Sequence, residues 1–239
     1  MPKFFTKPDS IFQNNIKITG EDVSHISKVL RMSKGDSIIV CDGSGNDYDA
    51  QITSISKTEV TAEIIRKYQC TAEPELKITL FQALPKQGKM EYIIQKNVEL
   101  GITEFVPVYT KRCIAKPTNK TERWQKIAES AAKQSGRGII PKVFPTVSFE
   151  QAIDLMSKSD LAIMPYECEE KVHLKSLLTS KNAKSISIFI GPEGGFDISE
   201  IKYATDNGIK TVTLGKRILR TETASLAVLP IILYEFGEM

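Results

Sequence analysis

The chain is poor in the residue types that build metal sites and disulfide frameworks. Its 239 residues include four cysteines, two histidines and one tryptophan. The cysteines are far apart and form no C-x-x-C pair, which is typical of reduced thiols in a cytoplasmic protein rather than of a secreted, disulfide-bonded one. We therefore expect a cytoplasmic location, and with so few histidines we expect no metal site.

Several common cofactor signatures are also missing. The sequence has no G-x-x-x-x-G-K-[ST], which argues against a P-loop, and no G-x-G-x-x-G, which argues against a Rossmann-type dinucleotide site. No G-x-S-x-G nucleophile elbow occurs either. No uninterrupted apolar run is long enough to span a membrane, so we expect no membrane partner. The chemistry must therefore be sought in less common motifs.

Positive charge is concentrated in one central segment. The formal net charge is only +3, but the segment from Lys86 to Lys142 holds twelve basic and five acidic residues. A clustered basic surface is the electrostatic footprint of a polyanion partner. A solvated, lysine-rich helix face is the alternative, and charge alone does not exclude it.

The pattern of apolar residues divides the chain near residue 72. Short, closely spaced strand signals fill residues 1–72, with the turn signal Asp42-Gly-Ser-Gly-Asn46 between two of them, which indicates a small β-barrel or a structural cap. A short helix is expected over residues 20–31. From residue 73 onward strands alternate with helices, which predicts a mainly parallel sheet with helices on both faces. The fold class is therefore α/β, with a small β domain at 1–72 and a larger α/β domain at 73–239.

The larger domain is predicted in some detail from the spacing of its apolar residues. Strands are predicted at 77–84, 104–109, 160–166, 185–190 and 210–214, and helices at 88–100, 121–134, 148–156, 198–207 and 221–236. The last helix is apolar on nearly every face, so we expect it to be buried on more than one side, either within one chain or in a dimer.

Two glycine-rich loops near the C-terminus are the most informative feature of the chain. The apolar run 186–190 ends in Gly191-Pro-Glu-Gly-Gly-Phe196, and the strand at 210–214 turns at Gly215 towards the last helix. Glycines at strand ends allow a ligand to lie directly against the backbone. Because open α/β sheets bind ligands at the carboxyl ends of their strands, these loops predict a ligand pocket.

These loops resemble the ribosomal RNA small subunit methyltransferase E family of the SPOUT superfamily. The similarity is carried by Gly191–Phe196 and by Leu214-Gly-Lys-Arg-Ile-Leu-Arg-Thr-Glu-Thr-Ala224. It extends to His25-Ile-Ser-Lys-Val-Leu-Arg-Met-Ser-Lys-Gly-Asp36, to Gln82-Ala-Leu-Pro-Lys86 and to the stretch from Trp124 to Arg137, and so covers nearly the whole chain. The resemblance implies an RNA-binding, PUA-like barrel at 1–72 and a SPOUT-type domain with a trefoil knot at 73–239. General topology rules would not predict a knot, because knots are nearly absent from proteins.

The resemblance also implies a reaction. It implies that S-adenosyl-L-methionine (SAM) is the cofactor and that the protein methylates N3 of a uridine in the decoding region of 16S ribosomal RNA, either free or within the assembled 30S subunit. Family members act as homodimers, so a homodimer is expected. The loop after Met164-Pro-Tyr-Glu167 is implied to close the cofactor pocket. The residues implied to hold SAM are Ile190, Gly191, Glu193, Gly194, Gly195, Leu214, Gly215, Ile218 and Leu219.

Methyl transfer to N3 of uracil requires the removal of one proton. N3 of uracil must lose its proton before or during transfer, and a nearby cation would favour the anionic base. Arg220 and Arg137 are the candidate cations, and Glu222 or Glu193 is a candidate proton acceptor. Structural alternatives stay open: an ion pair between Arg220 and Glu222, a helix C-terminal charge for Arg137, and a turn anchor for Glu193.

The RNA-binding residues are expected in the N-terminal segment that carries the resemblance, from His25 to Asp36, and in the basic segment. They are His25, Arg31, Lys86, Lys111, Arg112, Arg123 and Arg137. Two other functions stay open at this point. A catalytically silent RNA-binding protein of the same fold would not need intact cofactor loops. A small-molecule enzyme with a nucleotide cofactor would need neither the N-terminal barrel nor the basic segment.

Overall fold

The computed structural model describes residues 1–86, 88–116, 119–179 and 182–239. The chain divides into two compact units. The first unit comprises Met1–Glu73 and Ala132–Ile140, and the second comprises Pro74–Ala131 and Pro141–Met239. The boundary near residue 72 was expected, whereas the return of residues 132–140 to the first unit was not.

The first unit is built on a six-stranded sheet. Its strands are β1 (Lys3–Phe5), β2 (Ile11–Phe12), β3 (Asn15–Thr19), β4 (Ser37–Cys41), β5 (Asn46–Ile55) and β6 (Glu59–Gln69), and Pro8–Ser10 forms a 3-10 turn. The strand order is β1-β4-β5-β6-β3-β2, with β1 and β4 parallel and the other pairs antiparallel. Alternate residues of these strands form the core, among them Phe4, Ile16, Ile38 and Ile52. A sheet of this kind buries one face around its own core.

The sheet is a half-barrel rather than the closed barrel that was expected. Among the residues that the structure describes, no hydrogen-bonded strand pair joins the two edge strands β1 and β2. The curl is nevertheless pronounced, since the hydroxyl of Thr6, just after β1, donates to the carbonyl of Lys17 in β3 at 3.1 Å. The segment after β1 therefore approaches β3 through a side chain instead of a strand ladder.

Asp42 explains why the chain turns between β4 and β5 where the sequence predicted a turn. Its carboxylate accepts hydrogen bonds from the backbone N–H and hydroxyl of Ser44 and from the side-chain amide of Asn46. Burial alone would raise the pKa of Asp42, but these hydrogen bonds outweigh it and hold the pKa below its ordinary value. The turn is therefore anchored by an ionised carboxylate.

Glu73 explains why residues 132–140 pack with the first unit. Its Oε1 accepts the backbone N–H groups of Gly138 and Ile139 at 2.8 and 2.9 Å. Its Oε2 lies 2.6 Å from Nη2 of Arg137. Lys3 adds a bond of 2.9 Å from its ammonium to the carbonyl of Gly136. These contacts join positions far apart in sequence, so no local sequence pattern predicts them.

The connection between β3 and β4 is not the single short helix that was expected. It consists of α1 (Glu21–Ser24) followed by a π-helical turn at His25–Val29. The Leu30 N–H donates a hydrogen bond of 2.9 Å to the His25 carbonyl, five residues earlier, which is the spacing of a π-helix. Single π-turns of this kind are frequent at functional sites.

The second unit contains a seven-stranded sheet in which every observed strand pair is parallel, as the sequence predicted. Its strands are β7 (Lys77–Ala83), β8 (Glu104–Tyr109), β9 (Lys142–Val143), β10 (Val147–Ser148), β11 (Leu161–Pro165), β12 (Ser185–Ile190) and β13 (Lys210–Val212). The order is β10-β8-β7-β12-β11-β13, and β9 also pairs with β8. Parallel strands place all their carboxyl ends at one edge of a sheet, which is where ligands bind in open α/β folds.

The helices of the second unit follow the predicted pattern closely. They are α2 (Lys89–Glu99), α3 (Thr121–Gln134), α4 (Phe149–Met156), α5 (Leu174–Leu177), α6 (Ile198–Asp206) and α7 (Thr221–Phe236), with the last turn of α3 counted in the first unit. The short α5 and the two-residue strands β9 and β10 were not predicted, because so few residues show no period. None of the helices described in this chain combines the length and apolar character needed to cross a membrane.

The C-terminal helix α7 buries one stripe and leaves another exposed. The buried stripe packs on α2 and β12 and consists of Thr221, Ala224, Ser225, Val228, Leu229, Ile232 and Leu233. On the opposite side, Ile231 and Tyr234 are exposed. Among the described residues, α7 is therefore buried where it faces α2 and β12, and the side that carries Ile231 and Tyr234 is open.

Candidate cofactor site

A cavity of about 1050 Å³ opens in the second unit at the carboxyl ends of three neighbouring strands. The strands are β12, β11 and β13, which lie side by side in the sheet. The walls come from the loops that follow them, at residues 165–170, 191–196 and 213–220. The loop after β11 was expected to close the pocket, and here it forms one wall.

All the residues that the sequence assigned to cofactor binding line this one cavity. They are Ile190, Gly191, Glu193, Gly194, Gly195, Leu214, Gly215, Ile218 and Leu219. Arg220 lines it as well, and it also precedes the first residue of α7. The two glycine-rich loops, about twenty residues apart in sequence, are thus brought together by parallel strands.

Two of these glycines occupy backbone conformations that side chains rarely adopt. Gly195 has a φ of 66° and Gly215 has a φ of 104°. A Cβ atom at Gly195 would in addition collide with the carboxylate of Glu167 on the facing wall. Glycine is required here because any other residue would strain the turn and narrow the cavity.

A chain of hydrogen bonds joins the cavity loop at Gly191 to α7 and β7. Gln82, at the end of β7, donates from its side-chain amide to the Thr221 hydroxyl at 2.8 Å. Thr221 in turn donates to the Gly191 carbonyl at 2.7 Å. Sequence reasoning assigned no role to Gln82, yet a glutamine inside the apolar run of a central strand is an informative signal, since buried polar side chains are uncommon. Its amide NH₂ donates to Thr221, whereas its Oε1 has no hydrogen-bond partner among the described residues.

Lys89 is a further cavity residue that the sequence analysis missed. Its ammonium lies 3.2 Å from Glu193 and 3.1 Å from Glu222. The hydrogen bond to Glu222, and then that to Glu193, raise the pKa of Lys89 above its ordinary value. Glu193 also accepts the backbone N–H of Lys86 at 3.1 Å. The carboxylate of Glu193 therefore anchors its loop, which was the structural alternative considered for it.

Glu222 lies beside the cavity and is held by the same lysine. Burial alone would raise its pKa, but hydrogen bonds from its own backbone N–H and from Lys89 outweigh burial and lower the pKa below its ordinary value. A carboxylate with a lowered pKa is a weak proton acceptor. This geometry favours Glu222 as the partner of Lys89 over the predicted role as general base.

Two predicted RNA-binding residues support the glycine-rich loop from outside. Arg112 donates to the Gly194 carbonyl and pairs with Asp197, both at 3.3 Å. The Lys111 N–H donates to Glu200 at 2.8 Å, and its ammonium donates to Ser199 at 2.7 Å. Both side chains remain exposed, as does Arg123, whose guanidinium pairs with Glu91 on α2. Surface pairs of this kind are worth about 0–1 kcal/mol, so a phosphate can compete for these cations.

Arg137 has an environment unlike the one expected for it. Only 2% of the residue is exposed, and its guanidinium pairs with Glu73 within the first unit. This environment indicates a structural role, in place of the predicted contact with RNA or with the anionic base. The helix C-terminal charge considered as the alternative is closer to the observed situation, although the partner is a carboxylate.

The other predicted RNA-binding residues lie on the surface. His25 and Arg31 are exposed in the first unit, and Lys86 is exposed in the second. Residues 87, 117 and 118 of the basic segment lie outside the described residues. In the parts of the chain that are described, no three His, Cys, Asp or Glu side chains are grouped as metal ligands would be.

Comparisons with known proteins give a consistent result. A family model described as an RNA methyltransferase domain matches residues 72–233, and one described as an RNA methyltransferase PUA domain matches residues 18–65. Ribosomal RNA small subunit methyltransferase E of Bacillus subtilis (strain 168) is 39% identical over 228 residues, which cover 91% of this chain and 89% of that protein. The protein of the same name from Synechocystis sp. is 36% identical over 225 residues, covering 93% and 74%.

A solved structure extends the similarity to three dimensions. The crystal structure of a ribosomal RNA small subunit methyltransferase E from Neisseria gonorrhoeae, bound to S-adenosyl methionine, matches with a TM-score of 0.89 and 33% sequence identity. The match covers 98% of this chain and 97% of that one. Sequence and structure together show that the chain belongs to the ribosomal RNA small subunit methyltransferase E family.

Proposed function

We propose that this protein is a SAM-dependent methyltransferase that modifies N3 of a uridine in the decoding region of 16S ribosomal RNA. The observation that carries the proposal is the single cavity lined by both glycine-rich loops at the carboxyl ends of β12, β11 and β13. Membership of the family supports methylation of small-subunit ribosomal RNA, and the relative from Neisseria has SAM bound. The choice of N3 and of the decoding region rests on the resemblance. A ribosomal substrate also supports a cytoplasmic location.

The cavity suits SAM in size and in chemistry. Its volume of about 1050 Å³ is slightly above the range of about 300–1,000 Å³ typical of small-molecule sites, which leaves room for a ligand of this size. Backbone groups of Gly191 and Gly215 and the apolar side chains of Leu214 and Leu219 would hold the adenosine. Glu167 and two further glutamates, Glu169 and Glu170, line the mouth, and their negative charge would favour a ligand with a positive sulfonium.

The protein's contribution to the chemistry is alignment and proton control. When bound, SAM supplies an activated methyl group, so the chain must orient the nucleophilic N3 and favour loss of its proton. We assign the favouring of the anionic base to Arg220, whose exposed side chain is at the cavity. Glu222 then forms an ion pair with Lys89 and does not accept the N3 proton.

The remaining parts of the proposal concern RNA, assembly and topology. The PUA-type unit and the exposed cations Lys111, Arg112 and Arg123 would bind the RNA backbone. A homodimer is supported by the exposed stripe of α7, because Ile231 and Tyr234 would be covered by a second copy. The trefoil knot is supported by the resemblance alone.

Two measurements test the proposal. Calorimetric titration should show SAM binding to the protein alone, and methyl transfer from labelled SAM should modify 30S subunits from a strain that lacks the gene. Mass mapping and primer-extension stops should place the methyl group on one uridine of 16S RNA. RNA binding without SAM binding would indicate the silent RNA-binding protein, whereas SAM binding with transfer to a small molecule only would indicate the other alternative.

A further inference from the structure

Two large apolar side chains stand side by side on the surface of the first unit. Val29 is 68% exposed and Leu30 is 40% exposed, at the end of the π-helical turn. On the inward side, Val23 of α1 and Ile26 of the π-helical turn are buried in the core. Val29 and Leu30 are therefore not needed to fill the core, and their exposure calls for a separate reason.

The residue that follows them is held in a strained backbone conformation. Arg31 has a φ of 53°, and of the non-glycine residues that the structure describes only Gln13 shares a positive φ. The turn is closed over Arg31 by the Met32 N–H, which donates to the Ile26 carbonyl at 3.0 Å. A helix that ends in this way usually has glycine at the left-handed position. An arginine there costs backbone free energy, and strain of this kind is concentrated at functional sites.

Exposed cations flank the apolar pair in sequence. They are Lys28, Arg31 and Lys34, in the same short stretch. The nearby carboxylate of Asp36 accepts the Ser33 N–H at 2.7 Å.

Two acidic side chains precede the turn, Glu21 and Asp22 of α1, and Asp22 is paired with Lys133 at 3.2 Å. The ring of His25 makes an edge-on contact with Phe4. The arrangement is an apolar tip flanked by Lys28, Arg31 and Lys34.

We propose that Val29 and Leu30 form a wedge that packs against an unstacked base of RNA, while Arg31 and Lys28 contact the flanking phosphates. The proposal rests on the RNA substrate proposed above and goes further by naming the contact and the kind of RNA. Proteins read RNA mainly at loops and bulges, where bases are splayed out, and apolar side chains can enter between base steps. A continuous duplex would offer the phosphates but no place for the apolar tip.

The test uses the whole protein and two RNA hairpins. One hairpin carries a single bulged uridine beside a 2-aminopurine, and the other is fully paired. The variants are the double substitution Val29→Ser with Leu30→Ser, and Arg31→Gly. Ile65→Ser is the matched control, because Ile65 is 66% exposed on β6 of the same unit.

Each variant has its own expected signature. The double variant should lose affinity for the bulged hairpin by roughly tenfold, the scale of one lost base contact, with an unchanged salt dependence. It should also lose the rise in 2-aminopurine fluorescence that reports unstacking. Arg31→Gly should reduce the slope of log K against log salt by about 0.7, as one phosphate contact is lost, while melting at a higher temperature because the strained residue is gone. Ile65→Ser should behave as the wild type.

Several results would overturn the wedge. One is that the double variant and the wild type bind the bulged hairpin with equal affinity. Another is that the double variant loses the same affinity for both hairpins. A third is that the wild type binds both hairpins equally well. Loss of binding to whole 30S subunits without loss on the bulged hairpin would assign the tip to a ribosomal protein instead. The proposed function is judged separately by methyl transfer: a wild type that binds the bulge but transfers no methyl group contradicts the function and supports the wedge.

Discussion

The hydroxyl of Thr221 donates a 2.7 Å hydrogen bond to the carbonyl oxygen of Gly191. Thr221 is the first residue of α7, and Gly191 is the first residue after β12, so the bond joins the start of the last helix to the cofactor loop. Gln82 donates to the same hydroxyl from the neighbouring strand β7. One buried hydroxyl therefore sets the position of the loop relative to both the sheet and α7.

Replacing Thr221 with valine should weaken SAM binding by roughly five- to tenfold. Valine keeps the shape of the side chain but removes the donor, and one hydrogen bond contributes about 1 kcal/mol. Titration calorimetry measures the affinity. The control is Ser225→Ala, one helical turn later, which removes the bond of 3.0 Å from Asn97. Ser225→Ala should lower the unfolding free energy and leave SAM affinity unchanged, and equal affinity losses would show that Thr221 acts only through the stability of α7.

Replacing Gly195 with alanine should separate backbone strain from loss of the cavity. Gly208, after α6, has a positive φ of 85° and open space around it, so Gly208→Ala reports the strain alone. Both variants should lose about 1 kcal/mol of unfolding free energy. Only Gly195→Ala should weaken SAM binding, by about tenfold or more, because its Cβ displaces Glu167 in the cavity wall. Equal SAM affinity in Gly195→Ala and Gly208→Ala would mean that the loop at Gly195 does not bind SAM.

The ion pair between Lys89 and Glu222 should stabilise the protein only within a defined pH range. The lowered pKa of Glu222 means that its contribution is present above its ordinary value of 4.5 and is lost as pH falls through the lower folded value. The raised pKa of Lys89 means that its contribution is present below 10.5 and is lost as pH rises through the higher folded value.

The variant Lys89→Met tests this range. Compared with the wild type, it should lose roughly 0.5–1 kcal/mol of unfolding free energy at pH 7, since the pair is partly exposed. The difference should shrink as pH falls below 4.5 and should have disappeared near pH 2. Urea unfolding at a series of pH values measures it. A difference that persists at pH 2 would mean that the lysine stabilises by packing its alkyl chain.

Much of the second unit could be predicted because its signals are local. The observed bounds of α3 and α7 coincide with the predicted ones. Helix α3 shows a clear apolar period, whereas α7 is marked by a long, nearly continuous apolar run that begins after Thr221 and Glu222. The cofactor loops could be located because their glycines follow apolar strands directly. Parallel strands then bring such loops to one edge of the sheet, so the cavity follows from the fold class together with the two motifs.

The parts that could not be predicted depend on distant partners. Arg137 pairs with Glu73 across 64 positions, and Lys89 pairs with Glu222 across 133. Nothing near Arg137 in the sequence distinguishes a buried cation from one that binds RNA. The π-turn at His25–Val29, which precedes Arg31, was also unforeseen, because its wide hydrogen bonds have no signature in residue spacing.

Glu73 should matter more for stability than its partner Arg137. Glu73→Ala removes the ion pair and also the acceptor for the N–H groups of Gly138 and Ile139, whereas Arg137→Ala leaves those two bonds in place. Breaking a buried pair costs about 3–5 kcal/mol, and Glu73→Ala should exceed Arg137→Ala by about 1 kcal/mol or more. The exposed pair of Arg123 is the control, and Arg123→Ala should cost less than about 1 kcal/mol.

The same variants also test the structural role of Arg137. SAM affinity should be equal to that of the wild type in Arg137→Ala, provided that the protein is measured below its unfolding transition. The methylation rate per folded molecule should also be maintained. If the methylation rate of Arg137→Ala falls far more than the fraction of folded protein, Arg137 takes part in the reaction and the structural role is contradicted.

Arg220→Ala should lower the methylation rate by about 100-fold while SAM and RNA affinity change by less than about threefold. A cation at the cavity helps most when the uracil carries negative charge, which is mainly in the transition state, and an interaction made only there changes the rate constant and not ground-state binding. Arg220→Lys should recover part of the rate, since an ammonium cannot reproduce the planar contact of a guanidinium. Single-turnover transfer from labelled SAM measures all three proteins.

The pH dependence identifies the step at which Arg220 acts. The defect in Arg220→Ala should lessen as pH rises, because the uracil then ionises without help. Arg217→Ala removes the same charge from the same loop, and it should leave the rate within about threefold of the wild type if the position of the guanidinium matters. A defect that is independent of pH, or one that Arg217→Ala reproduces, would mean that these arginines act through the general field of the loop. In that case another residue must favour the loss of the N3 proton, and Lys89, already at the cavity between two carboxylates, is the cation to test next.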